Sequence, residues 1–399
     1  MEQQKLINFA DRFLLVALCL FLVLAPFLKI AVKVILGLSV AVLFVASFLK
    51  YKYAYNKGLL HVSPVLKAIL IFLGAAILST LFSALPKHSY GILMDRYIPY
   101  VLFFILGLVV VKNNIRNFFI ICTIVVSLNI VIGIGGMKDY LAFHPERLFT
   151  AFKMDVTLTN FLIIFAPLCA CGAILAGARL WHVLNFVGLI FILPVFVWVG
   201  SRSTWFSVAV AVFTVLLLKK TRRLFLWALL LIFAVILMPT FFQNRLHNTF
   251  NTNTWGDRML LYQTAGKIFL HYPLLGSGTG TFEKLLYEFG PVGGYPEGRI
   301  HLHAHNTFLE VLSEMGIIGF FAFCGIFFCF FRMVSKFKAL WQGDSVPGQG
   351  MILGGIAGIV AVLIFANAST LIIVGMRDAP VFWFFLGAIS GLCDQKIVN

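Results

Sequence analysis

The chain has 399 residues, of which 61% are hydrophobic and only 12% charged, with a mean hydropathy of +0.99, 43 phenylalanines and a formal net charge of +16. No water-soluble domain needs that much apolar surface, so that class is excluded. Short alternating segments of the kind that build a transmembrane barrel are also missing from the pattern, which leaves helices as the expected way of crossing a bilayer.

Taken in chain order, apolar stretches such as Phe13 to Leu28, Ala68 to Leu85, Tyr97 to Val111, Phe118 to Ile134, Leu224 to Met238 and Phe308 to Phe331 approach the roughly 20 residues that span a hydrocarbon core. Spans are predicted near 12–28, 30–49, 64–85, 97–111, 118–135, 159–178, 183–199, 204–218, 224–240, 308–331, 350–374 and 380–393. The expected fold class is therefore an all-α polytopic membrane protein with about twelve transmembrane helices. An even count puts both termini on one side. The basic connections at Lys50, Lys52 and Lys57, at Lys112 and Arg116, at Arg179, at Lys219, Lys220, Arg222 and Arg223, and at Arg332, Lys336, Lys338 and Lys396 assign that side to the cytoplasm. Most of the positive charge is thus topological and makes no case for nucleic acid. The first span is followed closely by a second, without a small-residue cleavage site, and is expected to be a retained signal anchor. The seven cysteines all fall in or beside apolar stretches, so they offer neither a disulfide framework nor a zinc-ligand set.

Hydrophilic sequence is concentrated in two external connections, 136–158 and the much longer 241–307. The chain accordingly divides into helices one to nine over 1–240, a large external loop over 241–307 and helices ten to twelve over 308–399. Inside the loop, Leu261, Ala265, Ile268 and Phe269 recur at helical spacing, as do Phe282, Leu285, Leu286 and Phe289, which predicts two amphipathic helices. Between them lies the turn-rich segment from Pro273 to Thr281, and Gly290 to Gly298 reads as loop. No internal repeat and no inverted pair of broken helices is expected.

Four constellations bear on chemistry. Gly200-Ser201-Arg202-Ser203-Thr204-Trp205 separates two apolar spans at the outer face. A guanidinium there stays charged and matches phosphate oxygens, although a snorkelling interfacial arginine has the same sequence pattern. Arg258, beside Asp257 at the start of the first loop helix, is opposed by the helix macrodipole and gains nothing from it, so a separate partner is expected: Asp257 or another loop acid, or an anionic ligand. The glycines Gly276, Gly278 and Gly280 precede a helix whose free N–H groups are suited to phosphate; a plain turn with Thr281 as N-cap is the alternative and the expected one. Finally His301, His303 and His305 crowd against the start of an apolar helix. A metal set is not expected there, since no nearby cysteine or carboxylate completes it. One imidazole remains a candidate general base. Glu310 and Glu314, five and nine residues beyond His305, either orient it or are ordinary helix-entrance charges, and the latter is expected. Other polar residues in or near spans are confined to Asn129, Asn160 and Asn367 in this reading.

His305-Asn306, nine residues, then Gly316-Ile-Ile-Gly319 resembles the His-Asn…Gly-x-x-Gly signature of the bacterial O-antigen ligase family, within the wider O-antigen ligase and polymerase superfamily. Ser201-Arg202-Ser203 is similar to the family's Ser-Arg segment, and Arg258 with Pro273-Leu-Leu-Gly276-Ser-Gly278-Thr-Gly280-Thr281-Phe282 is similar to its Arg…Pro-Leu-Leu-Gly-x-Gly-x-Gly-x-Phe stretch. At Phe320 the chain departs from the ligase pattern, which often carries Thr or Val. The resemblance implies a GT-C-type glycosyltransferase of the bacterial inner membrane, with a large periplasmic loop, an active site facing the periplasm and no cofactor. It would move a preassembled glycan from undecaprenyl pyrophosphate to lipid A-core, metal-independently and with inversion. By the same resemblance Arg202 and Arg258 bind the pyrophosphate and His305 is the base, with His303, Asn306 and the three turn glycines in support. Its expected partners are the undecaprenyl pyrophosphate-linked glycan, the lipid A-core acceptor and membrane lipids. A polymerase using the same donor is the nearest alternative, and a lipid or drug transporter, expected to carry ionisable residues or broken helices in mid-span, a more distant one.

Overall fold

A computed structural model describes residues 63–111, 115–143, 166–173, 179–198, 202–219, 253–291, 303–337, 349–374 and 379–398, with isolated positions near residues 12–19. The predicted spans near 30–49 and 224–240, nearly all of the first span, residues 144–158 and His301 lie outside the described residues. Every regular element among the described residues is helical: α1 (Pro64–Leu81), α2 (Pro86–Ile92), a π-helical turn (Leu93–Tyr97), α3 (Ile98–Val111), α4 (Ile115–Phe143), α5 (Arg179–Trp198), α6 (Arg202–Lys219), α7 (Asn253–His271), α8 (Phe282–Phe289), α9 (Thr307–Lys336), α10 (Gln349–Phe365), α11 (Leu371–Val374) and α12 (Ala379–Val398). By length and composition α1, the continuous stretch Pro86–Val111 and α9 are able to cross a membrane. Shorter apolar helices include Ile115–Leu128, Leu180–Ile192, Ser203–Val215, Gln349–Phe365 and Ala379–Cys393.

Several boundaries differ from the sequence expectation, among them the predicted span 350–374, which is interrupted between the end of α10 at Phe365 and the start of α11 at Leu371. The connection expected over 86–96 is helical, because Pro86 presets the backbone for a first helical turn and α2 runs without a gap through the π-helical turn into α3. Lys87, His88, Asp95 and Arg96 lower the hydropathy there without interrupting the backbone. Likewise residues 136–143, expected to begin an external connection, continue α4, so Gly135-Gly136 does not break it.

The tightest packing joins α3 to α12, and glycine makes it possible. A methyl group on Gly107 would collide with the Phe384 carbonyl and Ala388, and one on Gly387 with the Phe104 carbonyl and Leu108. Two backbones therefore meet directly, the small-residue packing that substitutes for a hydrophobic driving force between apolar helices. Around that seam Phe104, Phe323, Phe330 and Trp383 are fully buried. Trp383 stacks on Tyr100, with ring centres 6.2 Å apart, and its indole N–H donates to the Ile372 carbonyl at 3.0 Å. That bond removes the penalty of burying an indole donor.

Helices α7 and α8 form the two amphipathic elements expected in the loop. Leu261, Ala265 and Ile268 of α7 and Phe282 and Leu285 of α8 bury their apolar faces against one another and against Ala304, in a small core separate from the main one. Leu309 of α9 packs onto it, so the loop helices sit directly over the start of α9.

Candidate functional site

Helix α9 is broken near its beginning. Gly316 has φ 63° and ψ −167°, a conformation that glycine adopts without steric cost. The break strips carbonyls before it and N–H groups after it of their helical partners, and an unsatisfied group in an apolar bundle costs several kcal/mol. The turn following α7 supplies partners on both sides of the break. Ser277 N–H donates to the Ser313 carbonyl at 3.1 Å and Gly278 N–H to the Glu314 carbonyl at 2.9 Å, while Ile317 and Ile318 N–H donate to the Pro273 and Leu274 carbonyls at 2.9 and 3.3 Å. From the other side Ser79 of α1 donates its hydroxyl to the same Glu314 carbonyl at 2.7 Å. The Ser83 hydroxyl is within bonding distance of both Ser89 and the Ser277 carbonyl, and Thr80 meets Thr279 at 3.0 Å. The turn is a clasp between the α1–α2 corner and the break in α9.

Glu314 closes that clasp. Its carboxylate accepts from Gly280 N–H at 2.8 Å and Phe282 N–H at 3.1 Å, capping the N-terminus of α8. The Thr281 hydroxyl, expected to be the N-cap, donates instead to the Gly278 carbonyl at 2.7 Å and makes no capping bond. The phosphate-cradle reading of the glycine turn is corrected by the same bonds. Gly276 N–H is committed to the Tyr272 carbonyl, Gly278 N–H to the Glu314 carbonyl and Gly280 N–H to the Glu314 carboxylate. A carboxylate of the protein occupies the position that a ligand's phosphate would take at this helix N-terminus.

The histidine turn is built differently. Ala304 is fully buried in the loop core. On its N-terminal side the chain is held by the Glu310 carboxylate, one oxygen of which lies 3.1 Å from His303 Nδ1 while the other accepts from Ala304 N–H at 2.9 Å. Asn306 is the N-cap of α9: its side-chain oxygen accepts from Phe308 and Leu309 N–H at 3.0 and 3.2 Å. Thr307 ties the next residue down, its N–H to the Ala366 and Ser369 carbonyls and its hydroxyl to the Ser369 carbonyl at 2.8 Å. Between these anchors sits His305, exposed and with φ 52°. That is the left-handed region, rare for a residue with a β-carbon.

The expectation that Glu310 and Glu314 are ordinary helix-entrance charges is overturned. They are 1% and 3% exposed, and each holds a separate piece of chain. Spacing from His305 concealed this, because both act on residues outside the helix that carries them. The expectation that only asparagines bring polarity to the spans fails for the same reason.

Of the two arginines, Arg202 is the first residue of α6; its side chain lies outside the described residues. Arg258 is half-buried in the second turn of α7 and has no hydrogen-bond or ion-pair partner among the described residues. It shares a helix face with Tyr262, whose hydroxyl donates to the Asn367 carbonyl at 3.2 Å. Asn367 lies in the same turn as Ala366 and Ser369, which hold Thr307, so Tyr262 of α7 and Thr307 of α9 bond to one turn. Sequence reasoning missed Arg96. It lies in the π-helical turn, a feature that recurs at functional sites, its Nε is buried without a partner among the described residues, and it is within electrostatic reach of Glu314. The signal was present as an Asp95-Arg96 pair at the mouth of an apolar run. Among the described residues no three His, Cys, Asp or Glu side chains converge as a metal set would.

No curated protein matches the chain. A family model described as O-antigen ligase matches residues 187–324, the stretch that holds Arg202, Arg258, the glycine clasp, the histidine turn and the broken start of α9. Through that segment the chain is similar to the O-antigen ligase family.

Proposed function

We propose that the chain is a GT-C-type O-antigen ligase of about twelve transmembrane helices, residing in the bacterial inner membrane with both termini cytoplasmic and residues 241–307 forming a periplasmic loop. It transfers a preassembled glycan from undecaprenyl pyrophosphate to lipid A-core. The observation that carries this reading is the histidine turn: His305 holds a left-handed backbone costing about 1–3 kcal/mol, between anchors on both sides. Strain of that kind persists where the surroundings over-determine it, and such places concentrate at active sites.

In the proposed reaction an acceptor hydroxyl loses its proton to His305 as its oxygen bonds to the anomeric carbon. The bond from that carbon to the pyrophosphate oxygen breaks, and its electron pair leaves with the lipid pyrophosphate. Charge on the leaving group rises along the way, so Arg202 and Arg258 contribute most in the transition state. Direct displacement gives inversion, and two permanent cations do the work that a metal ion would otherwise do. A transporter would use a broken helix to coordinate its cargo. The freed groups of the α9 break are instead bonded to the chain's own clasp, which supports the enzyme reading.

The deciding experiment is transfer by purified protein in the presence of undecaprenyl pyrophosphate-linked glycan and lipid A-core, with and without chelator. Modified lipid A-core, formed equally in chelator, is the expected product. Elongated lipid-linked glycan in its place would make the protein a polymerase, and loss of activity in chelator would overturn metal independence.

A further inference from the structure

We infer that Glu310 is a positioning residue for His305, acting through His303 and the Ala304 amide; the inference rests on His305 being the base. A histidine with φ 52° relaxes to a more favourable backbone unless both flanks are fixed. The C-terminal flank is fixed by the Asn306 cap and by Thr307 on the 366–369 turn. On the N-terminal flank the fixed points are Ala304, plugged into the loop core, and the Glu310 carboxylate, which grips Ala304 N–H with one oxygen and His303 with the other. A packed methyl group limits translation of the chain but does little to set the peptide's rotation. The hydrogen bond from Ala304 N–H to a buried carboxylate sets that rotation, and with it the direction in which His305 leaves the turn.

The arrangement also gives His303 a task. A carboxylate on Nδ1 selects the tautomer with its proton there and turns the ring into a second fixed point rather than a free side chain. Because Glu310 sits one turn inside α9, the grip ties the histidine turn to the helix whose N-cap it immediately precedes. The carboxylate touches neither substrate in this scheme; it governs where the base stands.

The test compares Glu310→Ala, Glu310→Gln, His303→Ala and the Glu310→Ala/His303→Ala double variant with native protein, reading kcat, KM for lipid A-core, binding of the undecaprenyl pyrophosphate-linked glycan, and thermal midpoint in detergent. Glu310→Ala is expected to lower kcat by about 10–100-fold, the scale of misplacing a reacting group by an ångström, with KM and donor binding near native. Gln retains an acceptor for Ala304 N–H and restores part of the loss, and the double variant is no worse than the product of the single effects. Native kcat in Glu310→Ala overturns the inference, as does a kcat loss that Gln does not relieve and that tracks the thermal midpoint. If Glu310→Ala does not accumulate, Glu310→Gln and His303→Ala decide: lowered kcat at native KM in both supports it, and native kcat in both sinks it. His305→Ala is run alongside. Activity in that variant removes the base assignment itself, whereas an inactive His305→Ala with a fully active Glu310→Ala removes the positioning role alone.

Discussion

Two turns lead into helices at the same end of the molecule, and they handle unfavourable backbone geometry in opposite ways. In the glycine clasp the left-handed positions are Gly276, Gly278 and Gly280, and Ser277, Thr279 and Thr281 between them are wholly buried. Its geometry is cheap and its polar groups face inward. The left-handed position in the histidine turn is His305, an exposed imidazole for which the same geometry is costly. A turn that only holds helices together is free to use glycine wherever φ is positive. A turn that must present a particular side chain there has to compensate for the strain with anchors, and Glu310, Asn306 and Thr307 are those anchors.

The contrast breaks most visibly at His305→Ala. Loss of the proposed general base is expected to lower turnover by about 10²–10⁴-fold while donor binding persists, measured by transfer assay and by binding of the lipid-linked glycan. If His303→Ala is inactive and His305→Ala active, the roles of the two rings are exchanged. The next largest effect falls on the clasp and on folding. Gly278→Ala places a β-carbon against the Ser83 hydroxyl at φ 116°, and little monodisperse protein is expected on size exclusion. A well-behaved Gly278→Ala protein would mean that the clasp tolerates rearrangement. His305→Gly sharpens the comparison, since it removes the cost of the left-handed backbone: an inactive protein stabilised by about 1 kcal/mol is expected, visible as a raised thermal midpoint. An unchanged or lowered midpoint would mean that the imidazole contributes more to holding the turn than its backbone costs. The smallest effect belongs to Lys284→Ala on α8, whose pairing with Glu283 at 3.8 Å is solvent-exposed; the midpoint should shift by less than about 0.5 kcal/mol equivalent.

Much of this was legible in the residue pattern. Periodicity located α7 and α8 and named their buried faces, because an amphipathic helix advertises its contacts in its own sequence. The spans coinciding with α1, α9 and α12 were read from hydropathy for a similar reason. What escaped is long-range and polar. Nothing local says that Glu314 will cap a helix beginning at residue 282, or that Ser79 will meet a carbonyl 235 residues away. The Gly-x-x-Gly motif was visible, but its first glycine as the break in α9 was not, since a break is stable only once another segment satisfies it. Hydropathy also hid α2 and Arg96, where charge at a helix mouth resembles a loop.

The break at Gly316 bears on how the chain is assembled. Its complement, Pro273 to Gly278, is synthesised before α9, and the α1–α2 corner earlier still. When α9 leaves the ribosome, the segments that partner its break have already been synthesised. Without that complement a break at Gly316 would leave the Ser313 and Glu314 carbonyls and the Ile317 and Ile318 N–H groups short of partners, so the broken geometry depends on the clasp. The bent start of α9 is therefore a property of the assembled protein and not of the α9 sequence by itself.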